Sequence, residues 1–208
     1  RKDTVEALEM RISLNPILNA FQSVVHQYNI EWELVDTFLK SMEMDLNKTS
    51  YDRENYNEYI LGSAEVVGLM CLHVFTENNP DMFAKLKPFA MRLGAAFQKI
   101  NFLRDLAADF KELGRSYFPG VAVGSFTEEQ KTFLVDDIAA DLIVAANSIR
   151  LLPKDVRPAV AAAQFLFQDL TAKIAATPAS VLITTRIRVS DPRKLWLVAK
   201  SLIGVLPR

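Results

Sequence analysis

The chain has 208 residues, with 24 basic and 25 acidic side chains and a net charge of −1, which excludes the strongly basic balance of a nucleic-acid-binding protein. Hydrophobic residues make up 50% of the chain, which indicates a globular protein with a large core or an apolar cavity. We find no apolar run of about twenty residues and no signal-peptide pattern, so we expect no transmembrane segment. The single cysteine, Cys71, excludes an internal disulfide, fits a reducing cytoplasm and is expected in the core.

Apolar residues recur at helical spacing along the whole chain, which predicts an all-α protein forming a single domain over residues 1–208. The start signals are Asn or Asp followed by Pro, or Thr followed by Glu-Glu-Gln. The predicted helices are one with Val5, Leu8 and Ile12 on its apolar face, one from Pro16, one at 32–46, one at 59–75, one from Pro80 through the 97–110 region, one from Thr127 to about Leu152, one at 156–174 and one from Asp191. Residues 47–57 are polar and are predicted to form a loop.

The apolar segment 59–75 contains unusually small residues, Gly62, Ser63, Ala64 and Gly68. Glycine inside a helix lowers its stability by up to about 1 kcal/mol relative to alanine, so its presence needs a reason. Small side chains allow either a close helix crossing or an open channel beside the helix, and the residues alone leave both open.

A polar stripe lies in the next helix, where Gln98, Asn101, Asp105 and Asp109 are separated by three, four and four residues. At about 100° per residue, this spacing places the four side chains on one helix face. The flanking residues are apolar, so the stripe is expected to face a buried space, where unpaired carboxylates are costly. A hard cation removes that cost, and Mg²⁺ accepts a few carboxylate or amide oxygens while keeping places for water or phosphate.

Positive charge lies beside these carboxylates, from Arg104, Lys111 and Arg115, and Tyr117 follows. Acids, a metal and arginines together suit a diphosphate, which takes metal bridging and bidentate guanidinium contacts. We expect Gly114 to end the helix and Gly94 to leave room above the polar stripe.

Two other acidic features, a group of three aspartates and Asp45, are interpreted as ordinary side chains without a part in the site. Asp136, Asp137 and Asp141 contain a second D-x-x-x-D spacing, but without Asn, Arg or Tyr neighbours they are predicted to form the solvated face of an amphipathic helix. Asp45 could be functional, although a surface or locally hydrogen-bonded acid is the commoner reading of such a residue.

The segment NFLRDLAADFKELGRSYFP resembles the second aspartate-rich motif of the squalene/phytoene synthase family, N-x-x-R-D-x-x-x-D followed by R-x-Y-F. Further resemblance lies in SMEMDL, in the Y-x-x-G-x-A-x-x-V-G pattern from Tyr59, and in GAAFQKINFLRD, and it is strongest to bacterial phytoene synthases. The resemblance covers most of the chain. It implies the isoprenoid-synthase fold, an all-α helical bundle around a central cavity.

The resemblance also implies an activity, the head-to-head condensation of two geranylgeranyl diphosphates to phytoene in carotenoid biosynthesis. The alternatives are squalene or dehydrosqualene synthesis from farnesyl diphosphate, and a non-catalytic assembly factor of the same fold. The implied roles are Mg²⁺ binding by Asn101, Asp105 and Asp109; catalysis by Asp105, Asp109 and Tyr117, the last as a proton partner; and substrate binding by Tyr59, Ser63, Val67, Leu93, Phe97, Gln98, Arg104, Arg115 and Arg186. Arg188 is a weaker candidate than Arg186, and both could equally be surface arginines.

Two departures from the family pattern affect these expectations. Phe167 stands where the family often has tyrosine, which removes a hydroxyl contact. The family's first aspartate-rich motif lies upstream of the segment resembled here, so we expect Arg1 to fall inside a longer chain and this 208-residue chain to be inactive by itself. Contact with a membrane surface is a further possibility because the product is apolar.

Overall fold

The computed structural model describes residues 1–48, 50–112, 114–122 and 124–207, and within these ranges the regular secondary structure is helical, with one isolated bridge between Ser50 and Ser116. The all-α prediction is therefore confirmed. The helices are α1 (Lys2–Met10), α2 (Pro16–Gln27), α3 (Trp32–Asn47), α4 (Arg53–Ile60), α5 (Val66–Phe75), α6 (Pro80–Lys111), α7 (Glu128–Ile149), α8 (Arg157–Ala176), α9 (Ala179–Leu182) and α10 (Asp191–Leu202). A π-helical segment, Leu61–Glu65, joins α4 to α5.

Three predicted helix starts are confirmed by their caps. The Asn15 side chain accepts a hydrogen bond from the Ile17 amide, and the Asn79 side chain accepts one from the Met82 amide, each with proline in the first turn. Thr127 forms a reciprocal capping box with Gln130. Each cap satisfies amide groups that the first helical turn leaves without partners.

Other predicted boundaries are wrong. Helix α4 begins at Arg53, inside the segment predicted to be a loop, because the Asp52 carboxylate caps it by accepting from the Asn55 amide. Ile12 lies beyond the end of α1 and is 63% exposed, so it is not part of an apolar face. The short helix α9 follows Pro178 and was not predicted.

Helix α6 is the central element, and it packs against the π segment and against α5, α7 and α8. Its buried residues Ala96, Ile100 and Leu103 belong to the main core cluster, which also contains Ile138 of α7 and Ile174 of α8. A second cluster lies nearer the start of α6, around Leu72, Leu86, Ile149 and Phe165. The polar stripe predicted on α6 is therefore carried by a helix with neighbours along most of its length.

Glycines allow α6 to approach the helix before it very closely. A Cβ atom on Gly94 would lie 2.5 Å from the Ala64 carbonyl oxygen, and one on Gly68 would lie 2.7 Å from the Ala90 carbonyl oxygen. The expectation that Gly94 leaves room above the polar stripe is thus wrong in part, because its missing side chain is needed for this crossing. The pairs Gly94–Ala64 and Gly68–Ala90 also show that α5 and α6 run antiparallel.

The continuous helical segment Arg53–Phe75 has 23 residues and is long and apolar enough to cross a membrane by length and composition alone. The expectation that the chain has no transmembrane segment stays a prediction, because length and composition alone single out this candidate. In the fold, the segment packs against α3 and α6, and several of its uncovered residues line an internal cavity. Core helices of soluble proteins share this length and composition, so the finding is weak support for a membrane span.

Candidate active site

An apolar cavity of about 410 Å³ lies between α5, α6, α7 and α8. Five residues predicted to bind substrate line it: Ser63, Val67, Leu93, Phe97 and Gln98. The small residues of 59–75 were expected to mark either a close helix crossing or an open channel, and the structure contains both. Gly68 makes the close approach to α6 and also lines the cavity.

The cavity has a polar end and an apolar end. Gln98 of α6 and Ser63 of the π segment lie at one end, and Phe75, Leu86 and Leu152 lie at the other. At about 1.5 Å of rise per residue, the stretch of α6 from Leu86 to Gln98 is about 18 Å long. The cavity is therefore an elongated apolar space that begins beside the polar stripe.

Two features mark the polar end of the cavity. Ser63 lies in the π segment, and its buried hydroxyl has no hydrogen-bond partner among the described residues. π-helical turns inside α-helices occur often at functional sites, because they displace side chains from the regular helical register. Phe167 of α8, the position that departs from the family pattern, stacks on Phe97 with ring centroids 3.8 Å apart and so supports this residue of the cavity wall.

Cys71 also lines the cavity and is exposed, so the prediction that it belongs to the core is wrong. Its apolar surroundings still have an effect, because burial raises the pKa of the thiol.

The polar stripe on α6 contains oxygen atoms that the protein leaves without partners. The Asn101 side-chain oxygen is buried and accepts no hydrogen bond from the described residues. Asp109 makes no side-chain ion pair in the described chain, and burial, reinforced by the nearby charge of Asp105, raises its pKa to about 6. The charges of Arg115 and Arg104 offset the burial of the half-buried Asp109 only in part, so its carboxylate and the Asn101 oxygen are unfavourable unless a cation or a proton joins them.

Asp105 differs from Asp109 because two arginines already compensate its charge. Arg104 donates from both Nε and Nη2 to the two carboxylate oxygens, and Arg186 Nε lies 2.6 Å from Oδ1. Arg186 thus reaches the polar stripe from the segment after α9, as its proposed role requires. Arg188 is exposed and lines a smaller hollow together with Arg104 and Arg186.

The donor set of the stripe fits a hard divalent cation. It comprises one amide oxygen and two carboxylates on one helix face; the Asn101 oxygen accepts no hydrogen bond from the described residues, and the charge of Asp109 is only partly offset by Arg115 and Arg104. Mg²⁺ characteristically uses one or two carboxylates and keeps its other positions for water and phosphate. Within the described residues there is no group of three or more His, Cys, Asp or Glu side chains that could hold a metal ion, and the stripe itself offers two carboxylates and one amide. Asn101, Asp105 and Asp109 therefore suit a cation shared with an anionic ligand.

Asp45, at the end of α3, is the centre of a hydrogen-bonded network and not a local surface acid. Arg115 Nη1 donates to its Oδ1 over 2.7 Å, the Tyr117 hydroxyl donates to the same oxygen over 3.0 Å, and the Tyr59 hydroxyl donates to Oδ2 over 2.7 Å. Arg115 Nη2 also donates to the Asp45 carbonyl oxygen over 2.7 Å. The commoner reading of Asp45 as an ordinary local acid is therefore wrong.

This network changes the role of Tyr59. It is 4% exposed and is not among the cavity-lining residues, so the prediction that it faces the cavity is wrong. Tyr117 stacks on Phe102 with centroids 4.0 Å apart and accepts a hydrogen bond from Arg115 Nη1 over 2.8 Å. Burial raises the pKa of both tyrosines, so both hydroxyls stay protonated near neutral pH.

The second acidic pattern is also misread by the sequence prediction. Asp136 and Asp137 are exposed, but the Asp141 side chain is only 3% exposed and accepts from Arg92 Nη1 and Lys99 Nζ over 2.7 and 2.8 Å. Burial lowers the pKa of Lys99, but its bonds to Asp137 and Asp141 outweigh this and the pKa is raised overall. Asp141 thus joins α7 to α6 through a charged contact, away from the stripe.

Sequence reasoning considered a functional role for Asp45 but favoured an ordinary one, and it missed Tyr51 and the π-helical conformation of the segment that contains Ser63. Tyr51 stacks on Tyr117 with centroids 5.1 Å apart, and its hydroxyl lies 3.3 Å from Asp45 Oδ1. The M-x-x-D-L signal did point to Asp45, but its partners Arg115 and Tyr117 lie about seventy residues away and no local pattern links them.

Comparisons with solved structures define the class of fold. A crystal structure of a dehydrosqualene synthase in complex with a ligand matches with a TM-score of 0.82 and 23% identity, over 97% of this chain and 75% of that one. The squalene synthase HpnC from Alicyclobacillus acidocaldarius matches with a TM-score of 0.71 and 18% identity, over 85% of this chain and 73% of that one. The fold is therefore the all-α isoprenoid-synthase bundle.

Sequence comparisons define the family. The model of the squalene/phytoene synthase family matches residues 2–126, and the phytoene synthase of Rhodobacter capsulatus is 30% identical over 203 residues, covering 89% of this chain. The chain belongs to the squalene/phytoene synthase family. It spans 58% of the length of the Rhodobacter relative.

Proposed function

We propose that the protein condenses two molecules of geranylgeranyl diphosphate head-to-head to form phytoene. The observation that carries this proposal is the position of the polar stripe at one end of a long apolar cavity. A prenyl diphosphate has the same polarity, with an anionic head and a long apolar tail. Family membership and the likeness to a phytoene synthase favour this reaction over other uses of the same fold.

In the proposed reaction, the C1–O bond of one allylic diphosphate breaks and its electron pair leaves with the diphosphate. The double bond of the second molecule attacks the resulting cation, and loss of a proton closes a cyclopropane ring. Departure of the second diphosphate, rearrangement and loss of a further proton give phytoene without a reductant. Squalene formation differs here, because it needs a hydride donor at the last step.

Mg²⁺, held by Asn101, Asp105 and Asp109, would supply positive charge that stabilises the departing diphosphate. The chain's own residues then have separate tasks. Arg104, Arg115 and Arg186 contribute guanidinium groups to the phosphate oxygens. Arg115 is held by Asp45, while Arg104 and Arg186 are held on Asp105 until an anion arrives.

The apolar wall protects the cationic intermediates. Val67, Leu93 and Phe97 offer no nucleophile and exclude water, which would otherwise trap the cation as an alcohol. Gln98 and Ser63 lie at the polar end of the cavity, where we propose that the diphosphate binds. Tyr117, kept protonated by burial and oriented by Asp45, is proposed as the proton partner.

The test has a binding part and a turnover part. Calorimetry on this chain is expected to show Mg²⁺-dependent binding of geranylgeranyl diphosphate, which Asp105→Asn weakens. Turnover is measured with the full-length polypeptide as Mg²⁺-dependent diphosphate release together with phytoene extraction, and farnesyl diphosphate serves as the competing substrate.

Three results would contradict the proposal. Faster turnover of farnesyl diphosphate would assign the protein to squalene or dehydrosqualene synthesis. Equal inertness of the wild type and Asp105→Asn in turnover would favour a non-catalytic assembly factor. Binding that does not depend on Mg²⁺ would remove the metal role of Asn101, Asp105 and Asp109.

A further inference from the structure

The cavity is long enough for its lining residues to be placed along its axis. On α6 these residues run from Gln98 at the polar end, through Leu93 and Phe89, to Leu86 at the apolar end. At about 1.5 Å of rise per residue, Leu93, Phe89 and Leu86 lie about 8, 14 and 18 Å from the polar end along the axis of α6. These distances define a depth for each part of the cavity.

Helix α8 runs parallel to α6 beside the cavity. Near the polar end, Phe167 of α8 stacks on Phe97 of α6. At the apolar end, Val156, the N-cap residue of α8, packs against the cluster that contains Leu86. Both helices therefore run from the apolar end towards the polar end, and they advance by the same rise per residue.

Two alanines of α8 face the cavity at different depths. Ala163 and Ala159 precede the stacked phenylalanine of α8 by four and eight residues, and both line the cavity. Because the two helices are parallel, Ala163 lies level with Leu93 and Ala159 with Phe89, at depths of about 8 and 14 Å. Ala159 is also exposed, so a larger side chain at this position would displace no packed neighbour.

Helix α5 places Cys71 deeper in the cavity. It runs antiparallel to α6, and Gly68 lies against Ala90 where the two helices cross. Cys71 is three residues beyond Gly68, so its depth is about 17 Å. The thiol is exposed and lines the cavity, so a soluble reagent can report on whether this depth is occupied.

The length of a prenyl chain can be compared with these depths. An isoprene unit adds four carbon–carbon bonds along the chain, each about 1.5 Å long, and spans about 5 Å when extended. Three units that start at the polar end reach a depth of about 15 Å, and four units reach about 20 Å. A farnesyl chain therefore ends beside Ala159, and only the fourth unit of a geranylgeranyl chain reaches Cys71.

Packed side chains close the apolar end of the cavity. Leu86 and Leu152 line it and belong to one core cluster, and Phe75 packs against that cluster. A fifth isoprene unit would have to displace these side chains. The depth of the cavity thus corresponds to a chain of four units.

We propose that Ala159 is a specificity-determining residue, whose small side chain leaves the space in which the fourth isoprene unit of the substrate lies, next to Cys71. A bulky side chain would fill this space, because helical side chains lean towards the N-terminus of their helix, which for α8 is the apolar end of the cavity. The inference rests on the proposed function, since it places the diphosphate at the polar stripe.

The first test is calorimetry on this chain with Mg²⁺ and either geranylgeranyl or farnesyl diphosphate. We expect the wild type to bind geranylgeranyl diphosphate more tightly by about tenfold or more, because the fourth unit buries additional apolar surface. Ala159→Phe is expected to weaken geranylgeranyl diphosphate binding by about tenfold or more and to change farnesyl diphosphate binding by less than about threefold. Retained binding of farnesyl diphosphate also shows that the variant is folded.

Ala163→Phe is the matched control, one helical turn nearer the polar end. At a depth of about 8 Å it obstructs the second isoprene unit, which both ligands contain. We therefore expect it to weaken the binding of both ligands by about tenfold or more. Circular dichroism and thermal unfolding of this variant separate obstruction of the cavity from misfolding.

The second test needs no substitution. The rate at which Cys71 reacts with a maleimide is measured with Mg²⁺ and a saturating concentration of either diphosphate. Because only the fourth unit covers the thiol, geranylgeranyl diphosphate should slow the reaction by about tenfold or more and farnesyl diphosphate by less than about threefold.

Four outcomes would overturn the inference. They are equal weakening of the two ligands by Ala159→Phe, no weakening of either ligand by that change, equal protection of Cys71 by both ligands at saturation, and farnesyl diphosphate binding that survives Ala163→Phe in a folded protein. The last result would mean that the depths assigned to the two alanines are wrong.

Failure of the proposed function gives a different pattern. If neither diphosphate bound in a Mg²⁺-dependent way, the site at the polar stripe would be lost and this inference with it. If the full-length polypeptide turned over farnesyl diphosphate faster while the binding and labelling results were as expected, the proposed reaction would be contradicted and Ala159 would keep its role in admitting the fourth unit.

Discussion

At the scale of single residues, Asp105 and Asp109 differ in how their charges are compensated. Asp105 has Arg104 and Arg186 as partners, whereas Asp109 lies half-buried with its pKa raised to about 6. An acid whose pKa is higher in the folded than in the unfolded state binds more protons when folded. The free energy of unfolding of the metal-free protein therefore falls as the pH rises from about 4 to about 6. Above that range Asp109 is fully ionised and its whole destabilising effect is present.

We expect Asp109→Asn to raise the free energy of unfolding of the metal-free chain by about 1–2 kcal/mol at pH 7.5 and to have little effect at pH 4. The reason is that asparagine removes a half-buried charge while keeping the shape of the side chain. Urea denaturation at the two pH values, with a chelator present, measures the effect.

Asp105→Asn is the matched control in the same helix. Because this change leaves Arg104 and Arg186 without their carboxylate partner, it should leave the free energy of unfolding at pH 7.5 unchanged or lower it. Parallel stability–pH curves for the wild type and Asp109→Asn would show that the Asp109 carboxylate is not under strain.

Asp45 is the shared hydrogen-bond acceptor that orients Arg115, Tyr117 and Tyr59. We expect Asp45→Asn to destabilise the chain by about 2–3 kcal/mol, because the Arg115 side chain is only 13% exposed and would lose its charged partner. In turnover assays of the full-length polypeptide, the same change should lower diphosphate release, since Arg115 and Tyr117 lose their fixed orientation.

Tyr51→Phe is the control for Asp45→Asn, because it removes only the 3.3 Å contact to the same carboxylate. Its stability cost is expected to stay below about 1 kcal/mol. Equal effects of Asp45→Asn and Tyr51→Phe in thermal or urea unfolding would mean that the network is organised by the tyrosine rings and not by the carboxylate.

At the scale of helices, the contact between α6 and α7 depends on a buried charge. Lys99, whose side chain is 12% exposed, lies between Asp137 and Asp141. We expect Asp141→Asn to cost about 2–3 kcal/mol of stability, because it leaves Lys99 with a single exposed carboxylate partner. Asp136→Asn, five residues earlier on the same helix and exposed, should change stability by less than about 0.5 kcal/mol.

Denaturation of the Asp136 and Asp141 variants side by side measures this difference. If both changes proved neutral, apolar packing between the helices alone would be sufficient for the contact. If both were equally costly, a general dependence on the negative charge of α7 would replace the specific contact to Lys99.

At the scale of the whole molecule, Cys71 reports on the cavity. It is the only cysteine in the sequence, it is exposed and it lines the cavity wall. We expect geranylgeranyl diphosphate with Mg²⁺ to slow the reaction of Cys71 with a maleimide by about tenfold or more, since an occupied cavity blocks the reagent. Labelling should be followed at mildly alkaline pH, because burial raises the pKa of the thiol.

Asp105→Asn serves as the control for this labelling and should show little protection at the same ligand concentration. Protection by the lipid without Mg²⁺ and in both proteins would indicate partition of an apolar molecule into the cavity, unrelated to the polar stripe.

Much of this architecture could be predicted from local signals. The caps at Asn15, Asn79 and Thr127 allow the starts of their helices to be predicted, because the hydrogen bonds involved span only two or three residues. The stripe from Gln98 to Asp109 could also be predicted, because side chains three or four residues apart lie on the same face of a helix. The wrong boundary at Arg53 shows the limit of this reading, since a polar composition does not exclude a helix that has a cap at Asp52.

Contacts between distant segments followed no local rule. Asp45 looked like an ordinary acid, Asp141 like a solvated one, Tyr59 like a cavity residue and Cys71 like a core residue, because residue spacing does not encode which distant part of the chain becomes a neighbour. The sequence by itself determined most of the helices, the face carrying Asn101, Asp105 and Asp109, and the family resemblance. Only the tertiary structure decided which charges are paired and which oxygens stay free, because burial and Coulomb interactions depend on the distance through space between side chains, whatever their separation along the chain.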